Sequence, residues 1–182
     1  FIDKAKKANG ALTYGSAGVG NSAHLAAEMI ANRTGVKLTH VPYKGSTPIL
    51  TALLGGEVAT TVGIPSSSVP LIRDGKATPL AVMGEQRLRE LPEVPTFKEL
   101  GFDMPTMPGW YALLGPATMK PEHIARVNRL VQDFLGDPEV RAKLIGMFLI
   151  PSPGTPEQIK ARAMRDAEVW GDLIAKQKIE VQ

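Results

Sequence analysis

The chain contains no cysteine, which excludes disulfide bonds, thiolate metal sites and thiol catalysis. Aromatic residues make up 5% of it, and its 21 lysines and arginines are scattered among 18 acids. No basic stripe with interleaved stacking residues is therefore available to nucleic acid. The three histidines, His24, His40 and His123, lack close His-x-x-His spacing, which argues against a metal site. We expect no metal, no cofactor and no nucleic-acid partner.

The sequence also lacks an apolar run near the roughly 18 residues of a membrane span, and no signal peptide is visible in it. It begins with Phe1 rather than methionine and opens in an amphipathic helix. We therefore expect an upstream segment to be missing. A signal peptide is expected in that segment.

What is present is an alternation of strand, loop and helix, which is typical of βαβ units and of a mostly parallel sheet flanked by helices. The apolar pattern predicts strands at 12–15, 38–41, 58–62 and 79–83, with the second strand buried, and a helix over 22–33. A proline-punctuated connection with a short helix at 97–100 leads to a further strand at 109–116. The sequence thus predicts an α/β fold.

The C-terminal part of the sequence is predominantly helical. Helices are predicted at 121–135 and 138–144, the first with apolar residues at core spacing. Thr155 and Gln158 form a capping box that opens the last helix, with a proline in its first turn.

A glycine-rich turn runs straight from the first strand into a helix over residues 14–24. The first N–H groups of a helix have no partner inside it, and the helix dipole favours negative charge there. Gly15, Gly18 and Gly20 allow a ligand close to the backbone, while nearby Ser16, Asn21 and Ser22 can donate or cap. The turn is therefore a candidate site for a carboxylate or phosphate.

Three more specific interpretations of the turn agree less well with its sequence. Its glycine order is not that of a dinucleotide fingerprint, and no lysine follows Gly20 as in a phosphate-binding P-loop. An esterase elbow would need glycine where His24 stands. The remaining alternative is a turn without a ligand.

Ligands of open parallel sheets bind outside the carboxyl ends of the strands. Three predicted loops leave strands at that edge, at 15–22, 42–45 and 63–67. We expect them to line one wall of a crevice.

Several motifs occur in order along the whole chain: Tyr14-Gly-Ser-Ala-Gly-x-Gly-x-Ser-x-His24, His40-Val-Pro-Tyr-Lys-Gly45, Leu53-Leu-Gly-Gly-Glu-Val58, Leu80-Ala-Val82, Leu91-Pro-x-Val-Pro-Thr96 and Asp137-Pro-Glu-Val140. In these residues the chain resembles the extracytoplasmic solute receptors of tripartite tricarboxylate transporters, the Bug family.

The resemblance implies a type II periplasmic-binding-protein fold, in which two α/β lobes close over a small carboxylate and present it to the membrane permease subunits of the transporter. The carboxylate would be a di- or tricarboxylate or an aromatic acid, no reaction would be catalysed, and the location would be periplasmic. Residues 1–110 would be the second, ligand-binding lobe, and 111–182 the hinge strand and C-terminal helices returning to the first. Family members have most of one further lobe before this region. A chain without that lobe is a candidate for self-association.

The resemblance and the anion argument together give a set of candidate ligand-binding residues with no catalytic member. These are Ser16, Ala17, Gly18, Gly20, Asn21, Ser22, His24, Tyr43, Lys44, Gly63, Ile64 and Ser67. His24, Tyr43 and Lys44 each have an alternative in packing or hydration. Many members carry an Asp-Asn pair where this chain has Gly63 and Ile64. Aspartate would suit an amino or hydroxyl group on the ligand, so its absence favours a plainer dicarboxylate or an aromatic acid.

The rival hypothesis from another functional class is a small α/β enzyme. It would act on a phosphorylated or acyl substrate through Ser22 and His24.

Overall fold

The computed structural model describes residues 1–104 and 109–177. The elements in chain order are α1 (Ile2–Ala8), β1 (Thr13–Ser16), α2 (Ser22–Thr34), β2 (Thr39–Pro42), α3 (Ser46–Leu54), β3 (Thr60–Thr61), α4 (Pro65–Arg73), α5 (Pro121–Gly136), α6 (Pro138–Gly146) and α7 (Pro156–Gln177).

The strands form a parallel sheet in the order β2-β1-β3. Tyr14 lies opposite His40 on one side and opposite Thr60 on the other. Helices α2 and α3 connect successive strands, as a parallel sheet requires. The expected α/β architecture with a parallel sheet flanked by helices is confirmed, and the three strands end at one edge of the sheet.

β1 is the buried centre of this sheet. Tyr14 and Ser16 are fully buried, and Gly15 between them is buried as well. A Cβ on Gly15 would lie 3.0 Å from Ile49 Cγ2 and 3.5 Å from Val58 Cγ2. The close approach of these two side chains to β1 therefore depends on glycine at position 15.

The two flanking strands differ from expectation. β2 is not a buried strand, because it pairs on one side only in the part of the chain that the structure describes, and Thr39 and Pro42 are exposed. β3 is shorter than the expected 58–62. The Val58 amide donates to the Ala52 carbonyl of α3 at 3.4 Å, and the first bond from this segment to β1 is that of Ala59 N to the Thr13 carbonyl at 3.0 Å.

The strand expected at 79–83 is a single parallel bridge between Val82 and Thr96. Val82 donates to the Pro95 carbonyl at 2.9 Å, and Phe97 donates to Val82 at 3.2 Å. Pro79 and Pro95 have no N–H with which to extend the ladder. The helix expected at 97–100 is a series of turns, and residues 109–116 form no strand.

Contacts divide the chain into two compact units, Phe1–Pro108 with Trp170–Gln182, and Gly109–Val169. The first contains the sheet. In the second, Trp110 Nε1 donates to Asp166 Oδ2 at 2.6 Å, and the Arg162 guanidinium lies 5.6 Å from the Trp110 ring centroid. The assignment of 1–110 to a ligand-binding lobe and 111–182 to a return segment stays a prediction.

α5 and α6 bury no residue, although α5 carries apolar side chains at helical spacing. Leu130 is 59% exposed and Phe134 58%. The prediction of a core-facing α5 is therefore wrong for the described residues. No helix among those residues combines the length and apolarity needed to cross a bilayer.

We expect Gly15→Ala to lower the free energy of unfolding by about 1–3 kcal/mol, because the new methyl group crowds Ile49 Cγ2. Urea denaturation followed by circular dichroism measures this change. The matched control is Gly171→Ala in α7, where a Cβ meets no atom within 4 Å and stability should rise by up to about 1 kcal/mol. Equal stability of Gly15→Ala and wild type would contradict the close packing on β1.

Candidate functional site

The predicted site residues lie in three segments that follow the carboxyl ends of the three strands. The segment after β1 is tied to the one after β2, because Tyr43 N donates to the Ser16 carbonyl at 2.8 Å. Thr61 Oγ1 of β3 donates to the Gly15 carbonyl at 2.9 Å. The structure thus brings the three strand ends together, as expected for the binding edge of a parallel sheet.

The glycine loop, residues 17–21, satisfies part of its own backbone. Gly18 N donates to Ser16 Oγ at 3.2 Å, and Gly20 N donates to His24 Nδ1 at 3.0 Å. Asn21 N donates to the Gly18 carbonyl at 3.3 Å. Gly18 and Gly20 have φ angles of 120° and 75°, which favour glycine. These two glycines shape the loop, and their amides are already occupied.

Other amides of the same segment have no acceptor among the residues that the structure describes. They include those of Ala17, Val19 and Ser22. Asn21 Oδ1 caps α2 by accepting from Ala23 N at 2.9 Å. The unpaired donors lie at and just before the start of the 13-residue α2, where the helix dipole favours an anion.

Beneath the loop lies a stack of three rings, Tyr14, His24 and His40. The His24 and His40 centroids are 4.2 Å apart, and His40 and Tyr14 are 5.0 Å apart. His40 Nε2 lies 2.6 Å from Ser16 Oγ, and Tyr14 Oη donates to Glu28 Oε1 at 2.6 Å. The stack therefore connects the sheet, α2 and the loop.

His24 is neutral in this arrangement, because Nδ1 must keep a lone pair to accept the Gly20 amide. Burial lowers the pKa of His24, against the opposing charge of Glu28. Burial also lowers the pKa of His40, and the neighbouring His24 lowers it further, while Glu28 raises it. Burial and the bond to Glu28 raise the pKa of Tyr14.

The pair proposed for the enzyme hypothesis does not form a nucleophile and base here. His24 is 6% exposed and its lone pair is taken by Gly20. The neutral imidazole then carries its proton on Nε2, so neither nitrogen can accept the proton of Ser22. Ser22 is exposed as the first residue of α2.

The remaining candidate ligand-binding residues lie in the segments that follow β2 and β3. The Tyr43 ring packs against Gly15, and Lys44 is exposed. Ile64 precedes α4 and is half exposed, and its carbonyl accepts from Ser67 Oγ at 3.1 Å. The hydroxyls of Ser16 and Ser67 are therefore engaged within the protein, whereas Lys44 and Ile64 face solvent.

A Cβ at Gly63 would collide with Ser68 Oγ. An aspartate at position 63 would therefore require Ser68 to move.

The sequence reasoning missed the part that Tyr14, His40 and Glu28 take in supporting the loop. The signal was the strand register, which places Tyr14 opposite His40. Within the described residues, no group of three His, Cys, Asp or Glu side chains could hold a metal ion.

Stability should fall as the pH decreases below about 6.5, the usual pKa of histidine in an unfolded chain. The folded pKa values of His24 and His40 are lowered, so the unfolded chain binds more protons in the window below 6.5. Urea titrations at several pH values measure this slope. The double variant His24→Asn/His40→Gln should flatten it, and an unchanged slope in the double variant would contradict the assignment.

The chain matches the family model described as "Tripartite tricarboxylate transporter family receptor" over residues 1–179. Protein BugT of Bordetella pertussis is 29% identical over 174 residues, which cover 96% of this chain and 53% of BugT. This chain therefore spans about half the length of that relative.

Two solved structures have a similar fold. The structure described as "R. palustris Rpa4515 with adipate" gives a TM-score of 0.90 at 30% identity and covers 98% of this chain and 60% of its own. Periplasmic binding protein BugD gives 0.88 at 25% identity and covers 100% of this chain and 61% of its own. These matches confirm the resemblance and the periplasmic-binding-protein-like fold. The chain belongs to the receptor family of the tripartite tricarboxylate transporters.

Proposed function

We propose that this chain is the ligand-binding part of a solute receptor that captures a small carboxylate and delivers it to the membrane permease subunits of a tripartite tricarboxylate transporter. The family supports this function, and so does the adipate of the related R. palustris structure. The observation that carries the proposal is the set of unpaired amides of Ala17, Val19 and Ser22 at the start of α2.

These amides suit a carboxylate because each can donate to a charged oxygen. A hydrogen bond to a charged group contributes about 1.5–3 kcal/mol net, and the helix dipole adds about 0.3–1 kcal/mol. Two or three such bonds together with the dipole contribute about 3–10 kcal/mol before the cost of association is subtracted. No side-chain charge is needed at this end of the ligand.

The proposal extends to the rest of the receptor. A second lobe of the kind found in longer relatives would meet the far end of the ligand, and closure of the lobes would present it to the permease. We place the protein in the periplasm, with a signal peptide upstream of Phe1. A protein without the first lobe would cover its binding surface by self-association.

A catalytic role for Ser22 and His24 is the weaker alternative, since His24 offers no lone pair to the hydroxyl. We therefore propose that the protein is not an enzyme. Hydrolysis of an acyl or phosphoryl ester that disappears in Ser22→Ala would support the enzyme instead.

We infer that the ligand lacks an amino group next to the bound carboxylate. The segment after β3 carries Gly63 and Ile64, and neither side chain can pair with an ammonium group. An ammonium taken out of water without a partner is costly.

Ser22→Pro tests the amide site directly. Proline is favoured at the first helical position, and Asn21 before it is extended, with φ −63° and ψ 151°. The substitution therefore removes one N–H while preserving the helix. We expect adipate affinity in isothermal titration to fall about tenfold or more.

Ser22→Ala is the matched control, because it removes the hydroxyl and keeps the amide. Its loss should be smaller, about 0.5–1.5 kcal/mol at most. Equal affinity of Ser22→Pro and wild type would show that this amide does not bind the anion. If the protein carrying this chain binds none of the dicarboxylates, tricarboxylates and aromatic acids, the receptor proposal fails.

Matched ligand pairs test the ligand class. Adipate and succinate should bind at least about tenfold more tightly than 2-aminoadipate and aspartate, because the added ammonium finds no partner near Gly63. Competition titrations on the same protein measure the ratio. Tight binding of an α-amino acid would overturn this inference and leave the carboxylate site intact.

A further inference from the structure

We infer that His24 is a positioning residue of the carboxylate site: its neutral imidazole accepts the Gly20 amide and thereby holds the glycine loop with the Ala17, Val19 and Ser22 amides unpaired. This inference rests on the proposed function of the loop. His24 acts on the ligand through the backbone and does not touch it.

Two hydrogen bonds from its own amides hold the loop in this conformation. In one, Ser16 Oγ accepts from Gly18 N at 3.2 Å and also lies 3.0 Å from the Gly18 carbonyl. In the other, His24 Nδ1 accepts from Gly20 N at 3.0 Å. Between them Gly18 and Gly20 have positive φ angles. The amides of Gly18 and Gly20 therefore face the protein, and the alternate amide of Val19 has no acceptor among the described residues.

The two side chains that accept these hydrogen bonds, Ser16 and His24, are connected beneath the loop through His40. Ser16 Oγ is 2.6 Å from His40 Nε2, and the His40 ring stacks on the His24 ring at 4.2 Å. Tyr14 stacks with His40 at 5.0 Å and with His24 at 6.2 Å between ring centroids. The stack restricts the plane of the His24 imidazole, and the hydrogen bond from Gly20 N selects the edge that carries Nδ1. This rigidity reduces the ordering cost when an anion binds.

Protonation of His24 would break the hydrogen bond from Gly20 N, because Nδ1–H would then face the Gly20 N–H. The ionisable groups near His24 are Glu28 on its own helix, His40 from β2 and Tyr14 from β1. Glu28 favours the proton, while burial opposes it and lowers the pKa of His24. The hydrogen bond from Gly20 N to His24 Nδ1 is therefore present at neutral pH and is lost on acidification.

Two substitutions of His24 distinguish the effect of its hydrogen-bond acceptor from the effect of its ring stacking. His24→Asn keeps an acceptor, because Asn Oδ1 is as many bonds from the backbone as His Nδ1, but it loses the stack. His24→Phe keeps a stacking ring and has no acceptor. If the acceptor positions the loop, Asn should restore binding and Phe should not; if packing is what matters, the order should reverse.

Isothermal titration with adipate at pH 7.5 gives the first readout. We expect His24→Phe to weaken binding about tenfold or more, because the Gly20 amide loses its acceptor, and His24→Asn to stay within about threefold of wild type. Urea denaturation of each variant checks that it is folded at the titration temperature. His123→Asn, an exposed histidine of the other unit, is the unchanged control.

The second readout is the pH profile of adipate affinity from pH 7.5 to 5.5. Wild type should lose more affinity than His24→Asn over this range. Adipate itself titrates equally in both measurements, and repeating both in the His40→Gln background removes the titration of His40, whose pKa depends on His24. Parallel profiles would overturn the inference.

A third readout needs no ligand. In ¹⁵N NMR at pH 7.5, His24 should carry its proton on Nε2, and the Gly20 amide should exchange slowly while those of Ala17 and Val19 exchange fast. A protonated or Nδ1–H imidazole would overturn the inference without bearing on the receptor. Conversely, the expected NMR result with no binding of any dicarboxylate, tricarboxylate or aromatic acid would confirm the loop geometry and refute the ligand-positioning role together with the receptor proposal.

Discussion

The parallel pairing of β1 with a strand on each side is the constraint on which the site depends. It brings the ends of β1, β2 and β3 to one edge of the sheet, so the segments that follow them must converge. The same register sets Tyr14 beside His40 and so builds a ring stack directly below the glycine loop. One feature of the backbone thus fixes both the position of the loop and its support.

The loop distributes its backbone donors between the protein and the solvent. Gly18 and Gly20 give their amides to Ser16 and His24, and the intervening amide of Val19 has no acceptor in the described part of the chain. A loop with every donor unpaired would be mobile, and one with every donor paired could bind nothing. The observed division orders the loop in advance, which would favour binding of the proposed anion because less entropy is then lost.

Features decided by neighbours in sequence were predicted well. α2 was expected at 22–33 and ends at Thr34, and the capping box appears as reciprocal bonds between Thr155 and Gln158. Features that depend on distant segments were not. The exposure of β2, the reduction of 79–83 to one bridge at Val82 and the capture of the Gly20 amide by His24 all follow from tertiary contacts. Sequence spacing alone does not specify which amides of a loop remain unpaired.

The uncovered face of α5 has a consequence for local cooperativity. Helices in proteins owe most of their stability to packing, and α5 and α6 bury no residue, whereas β1 is buried throughout its last three positions. Because burial is what stabilises such elements, we expect β1 and the glycine loop that follows it to open less readily than α5.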